Sequence, residues 1–87
     1  MTWRFKRSSE KQFAKLTAIQ QQRTLRELDK LVESPERCDV VRLRSQNDVW
    51  RLKYGDLRAL FDYEDADTIV VFWVGTRQSA GRQYSGA

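Results

Sequence analysis

VWRLKYGDLRALFDYEDADTIVVFWVGTR, residues 49–77, decides the fold. Its apolar period is two, not 3.6: Trp50, Leu52 and Tyr54 share one side of a strand, opposite Val49, Arg51 and Lys53. Tyr54-Gly55-Asp56 reads as a turn, after which Leu57, Ala59, Phe61 and Tyr63 alternate with Arg58, Leu60, Asp62 and Glu64. A second polar turn, Glu64-Asp65-Ala66-Asp67, leads into Thr68 to Val74. That near-continuous run of β-branched and aromatic residues predicts a strand buried on both faces and therefore central, closed by Gly75.

Towards the N-terminus the same alternation holds briefly, with Val41 and Leu43 pointing one way and Arg42 and Arg44 the other. Before Cys38 the period lengthens to that of a helix. Thr17 is placed to cap a helix in which Leu25, Leu28, Leu31 and Val32 recur at three- and four-residue intervals until Ser34-Pro35 stops it. Ser9 with Gln12 three residues on fits a capping box, with Phe13 and Leu16 on one side of a shorter helix. Trp3 and Phe5, alternating with Arg4 and Lys6, predict a short first strand. The expected fold is α+β, a short N-terminal strand and a helical hairpin packed on one face of a small, mainly antiparallel sheet, with residues 1–87 as one domain. The other face is left to solvent and ligand, and the polar last thirteen residues receive no element.

Composition narrows the chemistry. A chain of 87 residues buries only about 60 to 65% of its unfolded surface, so a deep, enclosed site is not expected. Without histidine, imidazole acid–base catalysis and His-ligated metals are excluded. One cysteine, Cys38, allows neither an intramolecular disulfide nor a thiolate zinc cluster and favours the reducing cytoplasm. No metal or other cofactor is expected. No apolar run approaches about 18 residues, so neither a membrane span nor a signal peptide is expected. Sixteen basic against twelve acidic residues give a net charge of +4.

The bases are concentrated. If the strands at 41–44, 50–54 and 57–63 are neighbours, Arg42, Arg44, Arg51, Lys53 and Arg58 project from one surface. Alternation alone produces a solvated basic face, and that reading stands beside the functional one. The nearby acids, Asp48 and Asp56, lie in turns, however, and five adjacent cations repel one another in a way that a polyanion relieves. Trp3, Trp50 and Trp73 are read as core, and Cys38 as a small core or loop residue.

These residues carry a resemblance. Segment 49–77, with its basic alternation, Gly-Asp turn, strand beginning with arginine, acidic turn, apolar strand and Gly-x-Arg, resembles the core of the RelE/ParE superfamily of small toxins. The order of strand, helical hairpin ending at a proline, then strands is similar as well. Within that superfamily the RelE branch cuts messenger RNA on the ribosome, whereas the ParE branch inhibits DNA gyrase without nuclease chemistry. The chain resembles the nuclease branch. The resemblance implies Arg44 and Arg51 as RNA-binding residues, which Arg42 joins on the strength of the alternation, and Lys53, Arg58, Arg77 and Tyr84 as the catalytic set. The interval from Arg77 to Tyr84 is one residue longer than in RelE itself.

The chemistry needs no metal, because RNA supplies its own nucleophile, the 2′-hydroxyl. Arg58 and Arg77 are cast as forks on the phosphate oxygens. Lys53, whose ammonium can release its proton, is cast as general base or proton donor. Tyr84 either stacks on a base, shares a proton or closes the core edge. The resemblance further implies a small acidic antitoxin as partner, with ribosome and mRNA as targets. A gyrase inhibitor without catalysis and a nuclease-dead binding relative are the competing expectations.

Overall fold

The computed structural model describes residues 1–43 and 48–83. Strands β1 (Thr2–Phe5), β2 (Asp39–Arg42), β3 (Trp50–Tyr54), β4 (Leu57–Asp65) and β5 (Thr68–Thr76) form one sheet in the order β1-β5-β4-β3-β2. β1 runs parallel to β5 and the other pairs are antiparallel. Helices α1 (Arg7–Ala14) and α2 (Ala18–Glu33) lie in the long connection from β1 to β2, and α3 (Arg77–Gln83) follows β5. The architecture is the expected α+β arrangement, with the predicted central strand β5 inside the sheet, between β1 and β4.

The helical layer covers one face. Leu28 and Leu31 of α2 pack against Leu52, Tyr54, Leu57, Ala59, Phe61, Ile69, Val71 and Val74, with Trp3, Phe5, Phe13 and Cys38 around the margin. Thr17 caps α2 as expected: its Oγ1 accepts from the Gln20 amide at 3.2 Å, while Gln20 Oε1 accepts from the Thr17 amide at 3.0 Å. Leu25 does not join the core and is 40% exposed. The inward row of α2 is instead Thr24, Leu28 and Leu31. Thr24 is tolerated there because its hydroxyl meets the Tyr54 hydroxyl at 2.9 Å, and burial raises the phenol to about 12.

Ser9 is not the cap of α1. The helix begins at Arg7, and Ser9, fully buried in its first turn, places Oγ 2.6 Å from the Val71 carbonyl and 2.8 Å from that of Lys6. Gln12 likewise turns its Oε1 to the Val74 amide at 3.0 Å. Both polar side chains serve a bulge. Leu60 pairs with Trp73 but Phe61 pairs with Val71, so β5 carries an extra residue here, and α1 satisfies backbone groups on either side of it.

The second face is less open than alternation predicts. Leu43, Leu60, Trp73 and Ala80 are buried there, with Val49 and Phe72 beside them, so α3 roofs a small second core. Thr76 caps this helix, its Oγ1 accepting from the Ser79 amide at 3.3 Å.

Candidate nucleic-acid interface

The face beside α3 gathers most of the predicted site. Directly opposed residues in a sheet point to the same side, and in the antiparallel ladders Asp39, Lys53, Arg58 and Gly75 form one cross-strand row. Val41, Arg51, Leu60 and Trp73 form the next, on the same face. Arg77 follows at the start of α3, its amide donating to the Asp56 carbonyl at 3.0 Å across the β3–β4 turn. Asp56, Thr76, Arg77, Gln78 and Gly81 line an open cleft at this end of the sheet.

Arg58 is the unusual member. It is only 5% exposed, yet it carries a charge, and its Nη1 donates to the carbonyls of Gly55 at 3.1 Å and Leu57 at 2.8 Å. Burial, then the neighbouring charges of Arg51 and Arg77, push the guanidinium below its ordinary value, while Asp56 and Asp39 oppose the shift. Arg58 thus lies within reach of the charges of both Arg51 and Arg77. Gly75, opposite Arg58, has no side chain, and a methyl group there would collide with the Trp73 ring. The glycine of Gly-x-Arg thus gives the roof of the site its close packing.

Arg51 is held by an Nη2 contact to Asp39 Oδ1 at 3.3 Å. The Nε atoms of Arg51 and Arg58 are buried without an acceptor among the described residues. Buried donors without partners are rare because each costs about 1 to 3 kcal/mol. Here two of them belong to adjacent arginines on the cationic face. Lys53 and Arg77 are exposed beside them.

Arg42 is placed elsewhere. It pairs with Trp50, so it lies on the face that carries α1 and α2, its guanidinium 5.9 Å from the Trp50 ring centroid and 3.8 Å from Asp48. The expected alternation of β2 is correct, but Val41, not Arg42, is the partner of Arg51. A one-residue register choice moves a side chain to the other face. Arg44 and Tyr84 lie outside the described residues. Sequence reading missed Asp39 and gave Asp56 only a place in a turn, yet both carboxylates temper the charge around Arg58. Among the described residues, no three His, Cys, Asp or Glu side chains gather as a metal site requires, and no helix is long and apolar enough to cross a membrane.

A family model described as the ParE toxin of the type II toxin–antitoxin system parDE matches residues 2–81. The chain belongs to this toxin family. The ParE-family toxin also shares its fold with solved structures bearing the RelE name. A chain of the RelB–RelE antitoxin–toxin complex from Methanococcus jannaschii matches with a TM-score of 0.74 and 16% identity, over 91% of this chain and 95% of that one. The RelBE2 toxin–antitoxin complex from Mycobacterium tuberculosis matches at 0.72 and 22%, over 87% and 96%. The isolated RelE toxin of E. coli matches at 0.68 and 19%, over 94% and 96%. No curated protein matches. The toxin is therefore a RelE/ParE-superfamily member by family model and fold alike, as its Gly-Asp turn and Gly-x-Arg suggest.

Proposed function

We propose that this toxin is a metal-independent endoribonuclease that cuts messenger RNA positioned by the ribosome. One observation carries the reading: Arg51, Lys53 and Arg58 share a sheet face, with Arg77 electrostatically coupled to Arg58. Such a cluster suits a phosphodiester whose charge grows in the transition state. Arg58, tied through Nη1 to two carbonyls, is preorganised, and Arg77 supplies a second fork from the helix start. Lys53, opposite Arg58, either takes the 2′-hydroxyl proton as a neutral amine or, as the ammonium, gives a proton to the leaving 5′-oxygen. Arg44 and Tyr84 join the set on the strength of the sequence resemblance. Without imidazole the site is a modest catalyst, and the ribosome contributes the aligned backbone.

A cognate acidic antitoxin is the natural inhibitor in this reading, since it would neutralise the same cations, and the cytoplasm is where ribosome, toxin and antitoxin meet. The ParE family match favours a second reading, inhibition of DNA gyrase by binding alone. Primer extension on messages after induction separates the two. Cuts within translated codons, with naked RNA intact, are expected. Intact messages together with lost gyrase supercoiling would replace the nuclease by the gyrase inhibitor.

A further inference from the structure

The β3–β4 turn carries a cation that the face beside α3 does not include. Gly55 has φ +59°, the left-handed value required by the first position of this two-residue hairpin turn. It is also pressed from outside, because a methyl group on Gly55 would collide with the guanidinium of Arg23, which reaches the turn from α2. From the other face of the sheet, Arg58 Nη1 donates to the carbonyl of the same Gly55. Two guanidinium groups from opposite layers thus meet at one residue. Arg23 is exposed, and among the described residues no carboxylate lies within ion-pair distance of it.

We propose that Arg23 is a second phosphate seat, gripping single-stranded RNA beside the phosphodiester held by Arg58 and Arg77. The seat continues the cationic surface around the hairpin tip onto the helical layer. Glycine at position 55 leaves room for this close approach, and a side chain there would push the guanidinium aside. Arg23 is a positioning residue: it orients the strand and touches no reacting atom. The inference rests on the nuclease reading.

The test is salt-dependent binding of a short single-stranded RNA made uncleavable by 2′-O-methylation, compared for wild type, Arg23→Gln and Arg23→Lys, alongside cleavage of ribosome-bound mRNA. Losing one phosphate contact lowers the slope of log K against log salt by about 0.7. Arg23→Gln is expected to show that loss and to raise KM about tenfold, with kcat falling less. Arg23→Lys should recover the slope, because lysine restores the charge. An unchanged slope in Arg23→Gln, or no RNA binding by wild type, overturns the seat. A slope that falls in Arg23→Gln while wild type leaves ribosomal mRNA intact rejects the nuclease reading and keeps Arg23 as an RNA contact.

Discussion

The two faces of the sheet follow one alternation and serve opposite ends. Under α1 and α2, Leu28, Leu31, Leu52, Ala59 and Phe61 are almost completely buried, and the polar groups that enter, Ser9 and Thr24, are satisfied by Val71 and Tyr54. Beside α3, the buried cluster is small, and next to it two arginines hide Nε atoms that have no acceptor among the described residues. The first face supplies the stability that lets the second tolerate gathered like charge.

The largest expected effect breaks the charged face alone. Arg58→Met, which keeps the aliphatic stem, and Arg77→Ala should each lower ribosome-dependent cleavage by about 10²- to 10³-fold, the usual loss when a transition-state donor is removed. Their urea midpoints should stay near wild type, and a matching collapse in stability would make these residues structural. Leu28→Ala is the converse break. It should cost about 2 to 5 kcal/mol in urea unfolding, with the cleavage rate of the folded fraction retained. If activity falls faster than the folded fraction, the two faces are not independent.

Tyr54 sharpens the comparison through pH. Its folded phenol titrates at about 12, against an ordinary value of 10, so the folded state resists ionisation. The stability this contributes is complete below pH 10 and is lost as pH rises from 10 through 12. Tyr54→Phe should flatten unfolding free energy over that window, and an unchanged slope would assign alkaline unfolding to other groups. The smallest effect concerns Asp39. Asp39→Asn frees Arg51 from a partly exposed ion pair, with a stability change of at most about 1 kcal/mol, and should tighten RNA binding at low salt. Weaker binding would mean that Asp39 orients Arg51 for the strand.

The legible parts of the site were those set by neighbours in sequence. Lys53 and Arg58 straddle a two-residue turn, so their opposition across the hairpin follows from Tyr54-Gly55-Asp56-Leu57 with little freedom. Thr17 and Gln20 announce a helix start because both cap bonds are local. Arg42 was not legible, since its face depends on how β2 pairs with β3 across the intervening loop, and either phase satisfies the alternation of Val41 and Leu43. Leu25 lost its place to Thr24 because Tyr54, thirty residues on, offers a hydrogen-bond partner. The helix α3 hid in a polar segment whose signals are a Thr76 cap and a single buried Ala80.

From its residues alone, the chain determined that a short strand and two helices precede the remaining strands, that one hairpin carries alternating cations and that imidazole has no part in its chemistry, because period, turn type and residue content can be read without knowing the fold. Only the tertiary structure decided which face each cation occupies, that Arg58 is buried with its charge, and that Arg23 crosses from another layer to Gly55. Register and long-range packing set those outcomes, and they depend on partners far apart in the chain.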